Sequence, residues 1–196
     1  MILNKEYWEN RYHKNDFPWD AGDITTPLKE YFDQIKNKNI RILIPGCGNS
    51  YEFEYLISQG FTNVTVLDYA ENPVENLKKR IPESYHKNIL HADFFTHERQ
   101  YDLIIEQTFF CALSPDLRKD YVQKMYQLLS EKGKIAGLLF QFPLTEAGPP
   151  FGGSKEEYIH LFSGLFEIKT LETAHNSIKP RQENELFFIF TKKTTP

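Results

Sequence analysis

Four residues carry the first chemical signal in this chain. Gly46 and Gly48 sit in Pro45-Gly46-Cys47-Gly48, Asp68 follows Gly48 by twenty positions, and Asp93 lies further on. Glycines allow a tight turn and let the backbone approach a ligand where a Cβ would collide. A carboxylate in the position of Asp68 can accept two hydrogen bonds from ribose hydroxyls. Strand, glycine turn, helix, strand and acid together build a pocket for a nucleoside in α/β proteins. Asp93 supplies a second acceptor, suited to an adenine amino group, with Phe94 beside the ring. Tyr51 stands where a dinucleotide fingerprint wants a third small residue, which counts against a pyrophosphate at the helix N-terminus. The Gly-Lys-Ser/Thr of a Walker loop is absent.

The elements around these residues alternate. Apolar runs over 41–45, 64–68, 88–91, 101–106 and 134–140 read as strands, and helical periodicity fills the intervals between them. The first segment, 4–13, reads as a helix leading into the aromatic loop 17–22. Thr26-Pro27 reads as an N-cap followed by Pro at the first helical position. Asn72-Pro73-Val74-Glu75 and Ser154-x-x-Glu157 read as capping boxes. Ser114-Pro115 opens a further helix and Lys132-Gly133 closes it. The last two strands, 166–173 and 185–191, are joined by about eleven residues without helical periodicity. Such a link suits an antiparallel return, because a parallel crossover needs a helix. The expectation is an α/β, three-layer, Rossmann-like domain with a seven-stranded, mostly parallel sheet and an antiparallel last strand. It spans 1–196 as one domain, with 1–25 as an N-terminal lid segment.

The totals narrow the partners. At 196 residues and net charge -4, with lysines and arginines scattered, nothing gathers a phosphate backbone, so no nucleic acid is expected. No apolar run is long enough to span a membrane and the N-terminus has no signal-peptide core, so no membrane is expected either. Cys47 and Cys111 cannot form a disulfide framework, and reduced thiols fit a cytoplasmic protein. The sequence carries no signal for oligomeric state.

Asp68 for ribose and Asp93 for adenine is the layout used for S-adenosylmethionine, which has no phosphates to seat. Five segments then carry a resemblance over nearly the whole chain: Tyr7-Trp8-Glu9-Asn10-Arg11-Tyr12, Pro18-Trp19-Asp20-Ala21-Gly22, Pro45-Gly46-Cys47-Gly48, Phe109-Phe110-Cys111-Ala112-Leu113 and Gly148-Pro149-Pro150-Phe151. In this order they resemble the thiopurine S-methyltransferase family. The Trp-Asp and Phe-Cys-Ala segments are most similar to its plant halide/thiol methyltransferase branch. Asn49-Ser50 departs from the pattern, since many relatives carry a glycine near this helix start.

The resemblance implies a class I methyltransferase fold. It also implies transfer of a methyl group from S-adenosylmethionine, leaving S-adenosylhomocysteine, to a small soft nucleophile by in-line displacement. Cofactor contacts are expected from Trp8, Trp19, Gly46, Cys47, Gly48, Asp68, Tyr69, Asp93, Phe94, Glu106 and Phe109. Trp19, in a Pro/Gly loop, is the candidate lid, and Asp20 reads as surface or a cap. Thr108, Phe110, Cys111 and Arg181 are candidates for the acceptor pocket, with no residue assigned as a catalytic acid or base. Cys111 and Cys47 read first as small buried hydrophobes. His13 and His175 are lone histidines that offer themselves as bases for a high-pKa thiol. Methylation of a nucleobase or amide nitrogen wants Asn/Asp-Pro-Pro-aromatic after strand four, where Glu106-Gln107-Thr108-Phe109 stands. A metal-dependent O-methyltransferase wants carboxylates after strands four and five, and Phe140-Gln141-Phe142-Pro143 has none. A non-catalytic S-adenosylmethionine-binding protein would keep Gly46, Gly48 and Asp68 but need not keep an acceptor pocket.

Overall fold

Residue alternation along the strands sets the layers. In the computed structural model, which describes residues 2–194, β1 (Ile42–Pro45) turns Ile42 and Ile44 to one face and Leu43 to the other. β2 (Val64–Asp68) does the same with Val64 and Val66 against Leu67, and β4 (Tyr101–Gln107) with Leu103 and Ile105 against Ile104. Helices α2 (Thr26–Asp33), α3 (Tyr51–Ser58) and α4 (Glu71–Arg80) cover the first face with Leu28, Phe32, Phe53, Leu56, Val74 and Leu77. Helices α5 (Arg118–Leu128) and α6 (Lys155–Phe162) cover the second with Tyr121, Met125, Tyr158 and Phe162. Both faces of the sheet are thus buried, which is why its central strands read as continuous apolar runs.

Together with β3 (Ile89–His91), β5 (Leu129–Phe140), β6 (Phe166–Thr173) and β7 (Glu185–Lys192), these strands form one sheet in the order β3-β2-β1-β4-β5-β7-β6. β7 inserts between β5 and β6 and runs antiparallel to both, as the short final link requires. The carboxyl ends of β3, β2, β1 and β4 lie side by side in that order, and they carry Asp93, Asp68, Gly46 and Gln107.

Tertiary contacts shift several element ends. The N-cap of α2 is Thr25, one residue before the expected Thr26, and its hydroxyl is engaged by Gln107 rather than by the helix. Asn72 is not a cap: α4 begins at Glu71, and the carboxylate of Glu9 from α1 (Lys5–His13) accepts from the amides of Glu71 and Asn72. A neighbouring helix therefore supplies the anion that the local capping box was expected to supply. Lys132-Gly133 does not close α5, which ends at Leu128. The turn is a bulge within β5, where the pairing jumps from Tyr101–Leu129 to Leu103–Lys134. Ser114-Pro115 opens a single 3₁₀ turn that leads into α5. At Ser154 the capping box forms as expected, with Glu157 N donating to Ser154 Oγ at 3.2 Å.

Candidate functional site

A cavity of about 810 Å³ opens at the carboxyl edge of the parallel strands, where the sheet order reverses around β1. The turn after β1 forms its floor. Gly46 and Gly48 adopt φ of +57° and +51°. A Cβ on Gly46 would lie 2.2 Å from Phe109 Cδ2, so that glycine makes room for an aromatic ring of the protein. At this position the expected close approach is to Phe109, not to a ligand. Phe109 is in turn held by Phe94, with ring centroids 5.1 Å apart. Ser50 takes a left-handed conformation, φ 51° and ψ 54°, just ahead of α3. This is the conformation in which glycine is unstrained, and it explains why Asn49-Ser50 is a departure with local cost. Tyr51 then projects onto the cavity wall at the helix start, its hydroxyl 3.4 Å from Asp20 Oδ2.

Asp68 is 8% exposed and braces the turn. Its Oδ2 accepts from Gly48 N at 2.9 Å and its Oδ1 from Ala70 N at 2.9 Å. Each oxygen keeps a lone pair for another donor. Burial outweighs these hydrogen bonds and pushes the carboxyl up to about 6. Asp93, half-buried on the wall, accepts from Phe95 N at 2.8 Å through Oδ1, which fixes its direction. Cys47 and Cys111 are free and buried, and burial raises both thiols.

The N-terminal residues close one side. Trp19 meets Trp8 at 5.7 Å and Tyr12 at 5.9 Å, and the Arg11 guanidinium lies 4.9 Å from its ring centre. Trp8, Tyr12 and Trp19 all face the cavity. Asp20 accepts from Gly22 N at 2.6 Å and from the Asn49 amide, so it caps its own turn and also reaches the wall.

The opposite side follows β4 and β5. Thr108 has φ +58°, and Thr108, Cys111, Phe140, Phe142, Pro149 and Pro150 line it. Two expected residues are elsewhere. Glu106 is 1% exposed and off the cavity wall. Its Oε1 accepts from Phe109 N and Phe110 N at 2.8 and 2.9 Å, while Oε2 accepts from the Tyr121 hydroxyl. It shapes the loop after β4 and has no free face for a cofactor, and burial pushes it up to about 7. Phe110 is also 1% exposed, wedged between Tyr121 and Tyr158 with the Arg118 guanidinium 4.7 Å from its centre, so it supports the loop after β4 from behind. His13 and His175 are exposed and away from the cavity.

Arg181 is 8% exposed, and its guanidinium is shared. Nη2 donates to the carbonyl of Trp19, and Nη1 is 3.3 Å from Glu185 Oε1. The Gln107 amide is assigned the orientation that satisfies its neighbours, with its oxygen accepting from Arg181 Nη1 at 2.9 Å and its nitrogen donating to Glu52 Oε1 at 3.2 Å and Thr25 Oγ1 at 3.1 Å. Sequence alone singles out neither Gln107 nor Glu52. Gln107 was visible at the end of a strand, but Glu52 reads as an ordinary polar helix residue until the helix is placed against β4.

These features fit a cationic nucleoside. Asp20, Asp23, Glu52, Asp68 and Asp93 line the cavity against two guanidinium groups, Arg11 and Arg181. Comparison with known proteins agrees. The model of the family described as thiopurine S-methyltransferase matches residues 3–194. The chain is 31% identical over 194 residues to probable thiol methyltransferase 2 of Arabidopsis thaliana, covering 96% of this chain and 85% of that protein. It is 27% identical over 185 residues to thiocyanate methyltransferase 1 of Brassica oleracea, covering 91% and 81%. Among solved structures, the Burkholderia thailandensis 1,6-didemethyltoxoflavin-N1-methyltransferase, with 1,6-didemethyltoxoflavin and S-adenosylhomocysteine bound, superposes with a TM-score of 0.75 at 16% identity over 97% of this chain and 87% of that one. The chain belongs to the thiopurine S-methyltransferase family, and its fold is that of the class I methyltransferases.

Proposed function

We propose that this protein transfers a methyl group from S-adenosylmethionine to a small, soft nucleophile: a thiol, bisulfide, thiocyanate, halide or thiopurine. The observation that carries this reading is the division of the cavity. The strand ends of β2 and β3 offer carboxylates for a nucleoside. The segments after β4 and β5 offer Thr108, Cys111, Phe140, Phe142, Pro149 and Pro150, with no acid or imidazole among them. Family membership and the names of the thiol and thiocyanate relatives point the same way.

The methyl donor supplies an electrophilic carbon on a sulfonium, and displacement there requires an attacking atom in line at about 3–3.5 Å. The chain's own task is binding, alignment and exclusion of water. Asp68 holds ribose hydroxyls on the lone pairs that Gly48 N and Ala70 N leave free. Asp93 and Phe94 take the base. Residues 2–25 act as the lid, with Trp8, Tyr12 and Trp19 excluding water and Trp19 offering its ring to a cation. Aromatic and proline walls strip water from a soft anion, and the positive charge of Arg181 favours its entry. A thiolate or halide carries its own nucleophilic pair, so no base is required from the protein. The acidic cavity disfavours a phosphate backbone, and a small molecule is the acceptor that this reading assigns. Among the described residues no helix is long and apolar enough to cross a membrane, and the two free buried thiols suit a reducing, cytoplasmic setting.

The deciding experiment is a methyl-transfer assay on one preparation across thiols, bisulfide, thiocyanate, halides and thiopurines. Turnover with at least one of them is expected. Tight S-adenosylhomocysteine binding with no transfer to any would leave a binding protein in place of an enzyme.

A further inference from the structure

Glu52 is a carboxylate on the cavity wall that has no cationic partner within ion-pair distance among the described residues. It stands in the first turn of α3, and the contact found for its side chain is the Gln107 amide at 3.2 Å. Arg181 faces it from the loop before β7, but that guanidinium is bound to Glu185 Oε1, Trp19 O and the Gln107 oxygen. The other charged groups that face Glu52 are Asp20 and Asp23 in the N-terminal loop, and they add negative charge. Burial with these neighbours pushes the carboxyl up to about 7. Such a group lacks a cation that the protein itself does not provide.

Its place along the sheet edge says which cation. Adjacent strands are about 4.8 Å apart. Base and ribose are assigned to Asp93 after β3 and Asp68 at the end of β2, so an extended adenosyl compound running along the edge passes β1 and reaches β4 about 10 Å from β2. That point is Gln107, with Glu52 beside it. The group at this end of the molecule is the amino-acid portion, whose ammonium donates three hydrogen bonds and carries a full charge. We propose that Glu52, oriented by Gln107, is the anionic seat for the ammonium of the cofactor's amino-acid end. This rests on the methyl-donor reading above and extends it to a residue and a chemical group.

Three probes and two variants test it by calorimetry at pH 7.5. S-adenosylhomocysteine and S-adenosylmethionine both carry the ammonium, whereas 5′-methylthioadenosine keeps base and ribose but lacks the amino-acid end. Glu52→Gln should weaken S-adenosylhomocysteine and S-adenosylmethionine alike, by tenfold or more, and leave 5′-methylthioadenosine within twofold. Asp68→Asn should weaken all three. Retained 5′-methylthioadenosine affinity also proves that the Glu52→Gln protein is folded. Equal loss for all three probes in Glu52→Gln, no loss for any, or loss for S-adenosylmethionine alone would each overturn the ammonium assignment while the methyl-donor reading stands. If the wild-type protein binds none of the three, the methyl-donor reading fails and the proposal with it.

Discussion

Arg181 Nη2 donates to the carbonyl oxygen of Trp19, joining the loop before β7 to the aromatic N-terminal loop across 162 residues of sequence. The same guanidinium is 3.3 Å from Glu185, whose other oxygen accepts from Ser177 Oγ at 2.7 Å. A planar fork reaches the Trp19 carbonyl through Nη2 and Glu185 and Gln107 through Nη1, whereas a lysine holds all its donors on one nitrogen and does not span those two positions. Arg181→Lys should therefore keep the positive charge and lose the lid contact. We expect a higher KM for an anionic acceptor and for S-adenosylmethionine, with thermal stability lowered by about 1–2 kcal/mol for the hydrogen bonds lost. Steady-state kinetics with both substrates varied checks this; unchanged KM values would mean the tie to Trp19 has no part in binding.

Trp19 packs with Trp8, Tyr12 and Arg11, outside the two sheet cores. Trp19→Ala should lower turnover and cofactor affinity while the thermal transition moves only slightly. Collapse of that transition would make Trp19 a core residue and remove the lid.

Asp68 should weaken cofactor binding by roughly 1–3 kcal/mol when replaced by Ala, the worth of charge-assisted hydrogen bonds. Its carboxyl titrates near 6, so affinity for S-adenosylhomocysteine should also fall as pH drops from 7 to 5 in the wild type. A flat affinity profile over that range would detach Asp68 from the ribose.

Glu106 connects structure to pH through stability. Its folded-state value, about 7, lies above the usual carboxylate value of 4.5, so the folded protein holds its proton more tightly than the unfolded chain. That contribution is fully present below about pH 4.5 and is lost as pH rises through 7, with Glu52 and Asp68 acting in the same sense. Asp102, held down to about 2 by the Arg41 guanidinium, acts oppositely but only below its ordinary value of 3.8. The melting temperature of the ligand-free protein should thus decline from pH 5 to 8. Glu106→Gln, whose amide oxygen still accepts from Phe109 N and Phe110 N, should flatten the decline, as pH-dependent melts will reveal.

Gly46→Ala should cost about 1–2 kcal/mol for the left-handed backbone alone, and more for the displaced Phe109 ring. If the ring is the obstacle, Gly46→Ala combined with Phe109→Leu should lose less than the sum of the two single changes. Strict additivity in denaturant melts would show that only the backbone matters.

Local sequence determined the strands of this protein and the two acids at their ends. An apolar run between turn residues is buried wherever it packs, and a glycine turn after one strand with an acid closing the next marks the carboxyl edge of such a sheet. The Ser154 cap and the antiparallel return of β7 are legible for the same reason, since each depends on residues close together in the chain. Tertiary structure decided the rest. Glu106 and Glu52 are both acids near the glycine-turn strand system, yet one is consumed by Phe109, Phe110 and Tyr121 while the other faces the cavity. Asn72 lost its capping role to Glu9, sixty-three residues away. Gly46 serves Phe109, and Arg181 serves Trp19. Each of these outcomes depends on which distant donor reaches a given oxygen, or which distant ring fills a given space, and that is fixed only when α1, β4 and the loop before β7 come together around one cavity.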